Sequence, residues 1–444
     1  MKQLKFNIIF LLLIITSGWN STRLLAQENL SIIEIDKLTY DYFNQKKWNE
    51  LIDLGKQSLK NNIDFYYLQY RMGIAYYNKR NYRKAIPYFE NVVSITPEDA
   101  IAKEYLYYSY LFGLQVEDAR NVLVSLNTAE HREKISFYNQ EKTINGVSLN
   151  YKNILFDDYA INNTVVDNLT QRTRNSLSYY SVNLFNYAAN SSIFDFNLSL
   201  LSGKNSIYDI AYSPEIIEEK MKQYQLYFSW NKHIGKGTNL KFGLTYMNET
   251  LDWNELQQTT TGNVNSPNQT LIYNGSFSNF ASYFSFSKTM KNVDFTLASS
   301  FSRINSNSLI QPSISISYFP LGNASLYAKT DVFYQHNFTY QSNKNIVLKQ
   351  SINSTISPNF GLNIFGLYGK IFNFVDDEGM TMYNNLDALN YWYGASANYY
   401  FSNKVQFYVI LKNEGLINQY TQDEIIIDNP YNSRSILMGM QFNF

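Results

Sequence analysis

Few side chains in this 444-residue chain are of types that do chemistry, and their spacing narrows the field further. It has no Cys, which removes disulfides, thiolate metal sites, lipid attachment through Cys and thiol nucleophiles. Three His are present, His131, His233 and His336, and no two stand at the i, i+4 spacing of a helical metal pair. His336 near the end of an alternating segment invites a Ser-His pair on an outer wall, but no Ser with an acidic or amide orienter is marked beside it. No phosphate-cradling glycine loop, nucleophile elbow or HExxH helix occurs. Asp376, Asp377 and Glu378 form a carboxylate run of the kind a Ca²⁺ ion selects, read here as a solvated outer loop with calcium as the alternative. The expectation is a protein that is not an enzyme and carries no cofactor.

The remaining candidates are charges and rings on the polar face of alternating segments. Tyr227, Lys241, Lys329, Asp331, Tyr408 and Lys412 are assigned to an enclosed lumen, with Lys349, Asp195, Asp294 and Glu249 beside them. Near balance of sign argues against a strongly ion-selective constriction. Lys plus Arg equal Asp plus Glu at 37 each, so charge offers no argument for a nucleic-acid partner.

Two kinds of element must position these residues. After Gly146 the period is two: Phe194, Phe196, Leu198 and Leu200 alternate with Asp195, Asn197 and Ser199, and Leu240, Phe242, Leu244 and Tyr246 with Lys241, Gly243 and Thr245. Mean hydropathy is −0.32 despite 39 Tyr, 30 Phe and 5 Trp. No apolar run reaches the roughly 18 residues of a membrane helix. One lipid-compatible face and one small polar face, sustained to the end of the chain, predict a transmembrane antiparallel β-barrel over residues 146–444. Strands are expected to begin near 146, 174, 192, 221, 238, 273, 292, 308, 322, 344, 358, 388, 404 and 432, about fourteen in all. Short turns alternate with longer loops at 157–172, 203–220, 252–270, 376–385 and 418–431. That phase puts both barrel ends on the short-turn side, which in such barrels faces the periplasm. A soluble sandwich or propeller is the rival reading, and the loop alternation fits it poorly.

The chain closes on Ile436, Met438, Met440, Phe442 and Phe444 on one face, with Leu437 breaking the polar face. This resembles the C-terminal signal of Gram-negative outer-membrane barrels, in which Met440, Phe442 and Phe444 would be read by the barrel assembly machinery and covered by outer-membrane lipid. At the other end, Lys2 and Lys5 precede the apolar stretch Ile8–Ile15, a secretory signal peptide over residues 1–27.

Between the two, residues 28–142 have helical spacing with a 34-residue period, in units 32–65, 66–99 and 100–133. The central unit carries Met72-Gly73, Tyr76, Tyr82, Ala85, Phe89 and Pro97, and Ala119 recurs in the third. These residues resemble the tetratricopeptide repeat, with Thr128–Gln140 as a capping helix. The resemblance implies a concave groove built by Tyr40, Phe43, Tyr67, Tyr70, Ile74, Tyr77, Tyr108 and Leu111, open either to a ligand or to packing between repeats. The whole layout resembles Gram-negative proteins that join periplasmic tetratricopeptide repeats to an outer-membrane barrel, the YaiO-type barrel among them. That resemblance implies docking of a periplasmic protein on the repeats. The alternative it leaves open is a transport channel, exopolysaccharide export included, with the repeats as scaffold.

Overall fold

The computed structural model describes residues 30–126, 145–157, 170–188, 191–209, 213–257, 269–339, 344–422 and 425–444. Residues 1–27, expected as a signal peptide, residues 128–140, expected as a capping helix, and His131 lie outside them.

Among the described residues six helices come first: α1 (Ile32–Asn44), α2 (Trp48–Lys60), α3 (Tyr66–Asn78), α4 (Tyr82–Ile95), α5 (Ala100–Phe112) and α6 (Val116–Val124). First helices open at 32, 66 and 100 and second helices at 48, 82 and 116, so both series advance by 34. Side chains fix these starts. The Ser31 hydroxyl accepts from the Glu34 amide at 3.3 Å while Glu34 accepts from the Ser31 amide at 2.8 Å, a reciprocal box opening α1. Asn81 and Asp99 accept from the amides of Lys84 and Ala102 at α4 and α5. Pro97 lies two residues past the last residue of α4, where it cannot continue the helix.

Ala85, Phe89, Ala119 and Tyr76 are buried in one core with Leu51, Leu68, Met72 and Leu106. Gly73 lets α3 approach α4, since a Cβ there would stand 2.8 Å from the Phe89 ring. Burial and neighbouring acidic or phenolic groups push Tyr66, Tyr70 and Tyr77 up to about 12, with the Tyr66 hydroxyl donating to Asp99 at 2.7 Å.

The barrel follows as fourteen strands: β1 (Gly146–Phe156), β2 (Thr170–Ala188), β3 (Ser192–Asp209), β4 (Ser213–Gly235), β5 (Thr238–Gln257), β6 (Gln269–Met290), β7 (Val293–Ile304), β8 (Asn307–Tyr318), β9 (Leu326–Asn337), β10 (Lys344–Ser357), β11 (Phe360–Asp376), β12 (Thr381–Ser402), β13 (Val405–Gln422) and β14 (Ile425–Asn443). Each pairs antiparallel with its sequence neighbours, and β1 pairs with β14 from Gly146↔Asn443 to Phe156↔Ser433, which closes the ring. The Phe444 amide donates to the Asn145 carbonyl at 2.9 Å, so the seam is paired to the last residue.

The alternation sorts as the sequence requires. Ile436, Met438, Met440 and Phe444 are exposed on the outer wall, and Ser433, Ser435 and Gly439 are buried within. Leu244, Phe284, Ile314 and Leu411 share the outer wall. An outer surface this apolar is stable only against lipid.

Two expectations about loops are corrected. Residues expected in the long loops at 203–220 and 418–431 are strand: β3 reaches Asp209, β4 starts at Ser213, β13 reaches Gln422 and β14 starts at Ile425. Alternation of apolar residues stops where lipid stops, whereas backbone pairing continues beyond it, and only the first is visible in a sequence. About 9–11 residues cross a bilayer, so the 22- and 23-residue strands project past it. The second correction concerns residues 376–385, which turn into the barrel.

The helices sit on the short-turn rim. Arg83, fully buried, donates from Nη1 and Nη2 to Asp294 at 2.7 and 2.9 Å and from Nε to the Gly113 carbonyl at 2.8 Å. Its guanidinium lies 3.4 Å from the Phe319 ring centroid. Asp118 bonds His233 Nε2 at 2.9 Å and accepts from the Gly237 amide at 2.8 Å. Asn323 donates to the Arg80 carbonyl at 2.7 Å, the Ala324 amide to the Phe112 carbonyl at 3.1 Å, and Ser191 to Asn121 at 2.9 Å. Asp294 therefore belongs to the rim and to Arg83, not to the lumen.

Two outcomes follow from this packing. Arg83→Ala leaves Asp294 without its bidentate partner, and breaking a buried pair of this kind costs about 3–5 kcal/mol. Limited proteolysis of the folded full chain should then release the helical segment far faster than in the wild type, with heat-modifiable migration of the barrel unchanged. The second concerns alkali. Free phenols ionise near 10, and Tyr66, Tyr70 and Tyr77 resist until about 12. The folded state thus holds protons the unfolded state has lost, so helix stability is full below about pH 10 and falls as pH climbs through about 12. The helical ellipticity at 222 nm should survive to about pH 11 and collapse beyond 12.

Candidate functional site

What occupies the lumen is the β11–β12 hairpin. From Phe360↔Tyr399 to Tyr368↔Tyr391 the two strands pair regularly in the wall; the register then shifts twice between Tyr368 and Asn373. At the first shift Gly369 has φ 146°, and a Cβ there would lie 2.9 Å from the Ile346 carbonyl oxygen, so β11 bends inward where only glycine fits. The hairpin resumes at Asn373↔Asn384 and turns through a single 3₁₀ turn at Asp377–Gly379.

Two apolar faces hold its stem. Ile371 and Phe374 pack with Val347, Leu367, Leu389, Trp392, Leu416 and Tyr431 on one side. Val375 and Met382 pack with Met247, Ala281, Ile304 and Leu309 on the other. These wall residues point inward, where a water-filled barrel would carry polar groups. Gln311 and Gln335 donate to the Val375 and Asn373 carbonyls at 2.6 and 2.5 Å, satisfying backbone that left the wall ladder.

The tip reaches strands six positions around the ring. Glu378 pairs with Lys241, and its carbonyl accepts from Tyr227 at 3.3 Å. Gln225 and Thr245 donate to the Met380 and Gly379 carbonyls. Lys349 donates to both Asp376 oxygens at 2.8 Å and to Asp377 at 3.0 Å. Asp377 and Glu378 have φ of 47° and 58°, a left-handed pair costing roughly 1–2 kcal/mol per residue, offset by these bonds. The carboxylate run expected in an exposed outer loop is thus folded inside. Its three acids serve Lys349 and Lys241, so the calcium alternative has no free ligand set; among the described residues no group of three acids or His is arranged for a metal. Length and charge alone could not show this, because an inward and an outward loop of acids read alike.

The other lumen candidates lie inside the wall. Tyr227 is buried, Lys329 pairs with buried Asp331 at 3.1 Å, and Tyr408 donates to Asn150. Lys412 pairs with Glu414 at 2.5 Å and lies 4.7 Å from the Trp392 ring centroid. Two spaces that share lining residues such as Lys349 and Asp376 flank the hairpin. One, of about 370 Å³, is bounded by Asp195, Tyr227, Lys241 and Tyr283. The other, of about 730 Å³, lies between the hairpin and the inner wall from β1 to β4 and from β9 to β14.

His336 makes no catalytic pair: its Nδ1 is buried without a hydrogen-bond partner and its ring stands edge-on to Phe338 at 4.8 Å. His233 is a rim contact to Asp118, as above. Of the groove candidates, Ile74 is buried and Phe43, Tyr70, Tyr77, Tyr108 and Leu111 are half-buried against the helical core. Tyr77 meets Tyr105 edge-on at 4.9 Å, and Tyr108 stacks on Phe112 at 5.7 Å. Only Tyr40 and Tyr67 stand out, 53% and 60% exposed, with Arg71 at 5.3 and 5.5 Å from their rings. Arg83 and Asp118, which seat the helices on the rim, carried no sequence signal, since a charged residue on a helix reads as surface until its partner strand is known.

The chain matches no family model, and no curated protein matches it. Among solved structures it is similar to the toluene transporter TodX of Pseudomonas putida, at 7% identity over 68% of this chain and 91% of that one, TM-score 0.46. It is similar to a FadL homologue of Pseudomonas aeruginosa at 9% identity over 68% and 90%, TM-score 0.42. The translocator domain of the autotransporter NalP from Neisseria meningitidis matches at 8% identity over 74% and 99%, TM-score 0.32. Likeness this distant says nothing of cargo; what the chain is known by here is its own closed fourteen-strand barrel with a hairpin folded into the lumen.

Proposed function

We propose that the chain is a gated transport channel of a Gram-negative outer membrane, with the β11–β12 hairpin as gate and a tetratricopeptide-like domain held at its periplasmic mouth. One observation carries the reading: the hairpin is pinned across the lumen by ion pairs to Lys349 on one wall and Lys241 on the opposite one. A hairpin needed only to complete the wall would stay in the ladder, where its backbone is already satisfied. Folded inward, it closes the lumen with contacts that can be exchanged for water one by one. The orientation rests on both barrel ends sharing the short-turn rim and on the apolar terminal strand face. The non-enzymatic part of the reading is supported by His233, whose two ring nitrogens meet Asp118 and Asn239, and by His336, which stands against Phe338, so neither activates a Ser hydroxyl.

Conductance in planar bilayers tests it. The wild type should be closed for most of the recording, and Lys241→Ala/Lys349→Ala should open far more often, because unpaired carboxylates in the lumen cost several kcal/mol to keep there. Replacing residues 372–388 by a Gly-Gly turn should give a constantly open pore. If that variant migrates as a folded barrel and never conducts, the gate reading is lost.

A second reading, docking of a periplasmic protein on the helices, is favoured by Tyr40 and Tyr67. They are exposed, and Tyr67 lies at the opposite end of α3 from the rim contact at Arg80, about 20 Å away at 1.5 Å per residue. A photo-crosslinking residue at Tyr67 in the full chain should capture one defined periplasmic protein in cells, whereas the same probe at Lys60 should not; equal labelling at both positions argues against docking.

A further inference from the structure

Part of the lining of the 730 Å³ space beside the hairpin is not used by the gate. Six polar side-chain atoms on its walls are buried with no hydrogen-bond partner: Asn183 Oδ1, Asn197 Oδ1, Gln223 Oε1, Asn363 Oδ1, Trp392 Nε1 and Arg174 Nε. Asn197, Gln223 and Trp392 are each more than nine-tenths buried. Buried polar groups are normally bonded, and leaving one unmet costs roughly 1–3 kcal/mol. A cluster of six on the walls of one space is therefore a feature to be explained by what enters the space. The set is mixed: amide oxygens that accept, an indole N–H and a guanidinium N–H that donate. A ligand that answers it must offer several donors and acceptors on a rigid frame, which is the chemistry of ring hydroxyls.

Charge adds a second constraint. Lys329, Lys349 and Lys412 on these walls face four carboxylates, Asp331, Asp376, Asp377 and Glu414. Lys152 and Arg174 also line the space and form no salt bridge among the described residues. Five cations against four carboxylates leave a surplus of one positive charge on the wall, so the ligand that fits it carries an acid.

We infer that this space is a binding site for an acidic, polyhydroxylated molecule, a saccharide carrying carboxylate groups, with the orphaned amides and Trp392 meeting its hydroxyls and Lys152 and Arg174 its acid. The inference rests on the channel reading in one respect, since it names what the closed lumen would hold. Binding itself needs no conduction.

Titration calorimetry of the full chain in detergent tests it, with tri-galacturonate as the acidic probe, maltotriose as the neutral one and toluene as the apolar one. Tri-galacturonate should bind saturably, maltotriose about tenfold more weakly, a difference of about 1.4 kcal/mol, and toluene not at all. Lys152→Ala should bring tri-galacturonate down to the level of maltotriose, and Asn363→Leu should weaken both sugars alike. Heat-modifiable migration shows that each variant is folded. Heats of dilution only with both sugars overturn the assignment, as do saturable binding of toluene alone and sugar binding that Lys152→Ala and Asn363→Leu leave untouched. If no sugar binds while the shortened-hairpin variant conducts, the site falls and the gate stands; if sugar binds and that variant is silent, the reverse holds.

Discussion

A chain that crosses lipid with strands must pair every backbone donor and acceptor within itself, and the β1–β14 seam is where this chain meets that demand. An open sheet would leave two edges in hydrocarbon. Closure by antiparallel neighbours needs an even number of strands if both ends are to emerge on one rim, and fourteen meet the condition. Everything attached to the ends of the barrel is thereby sent to the same side. The helices precede β1, so they must lie near the short-turn rim, and Arg83 and Asp118 convert that proximity into a fixed seat.

The hairpin in the lumen looks like an exception to that demand and is instead its local solution. Backbone that leaves the wall ladder must find other partners, and Gln311, Gln335, Gln225 and Thr245 supply them from inward-facing positions. The apolar residues that clamp its stem invert the rule for a lumen wall. Met247, Ile304 and Leu309 are buried by the hairpin rather than by lipid. The inner face of this barrel thus has a small dry core of its own, with ion pairs reserved for the tip.

How much of this could be read beforehand follows from which interactions are periodic. Strand starts on the short-turn rim fell close to where alternation placed them because each membrane-crossing strand must keep one apolar face, whereas β4, β12 and β14 begin well before their expected starts because pairing runs past the lipid; repeated helix starts advanced by 34 because each unit buries the same stripe. The inward turn of residues 371–389 has no period. Its signals were Gly369 inside an otherwise regular strand and apolar residues such as Met247 on a face expected to be polar, and each is ambiguous alone. Asp294 alternated like a lumen residue and proved to be the partner of Arg83, because at the rim the inner face of a strand is also the seat of the helices. Contacts between parts distant in sequence, Arg83 with Asp294 or Lys241 with Glu378, leave no trace in local pattern.

The β4–β5 hairpin carries contacts of both kinds. At its turn, His233 and Gly237 meet Asp118 of the helical domain, and His233 Nδ1 also bonds Asn239 at 2.8 Å. Two residues further along β5, Lys241 holds Glu378, while on β4 Tyr227 meets the same residue's carbonyl. Two residues of strand span about 6.6 Å, and the two strands are continuously paired from Leu240↔Lys232 to Trp253↔Glu219. Paired strands resist bending within the ladder far more than turns do. A rotation of the helical domain on the rim must therefore either break the Asp118 contacts at the turn or displace the segment that carries Lys241 and Tyr227. The seat of the helices and the lock of the lumen hairpin are mechanically adjacent, joined by one short run of paired backbone.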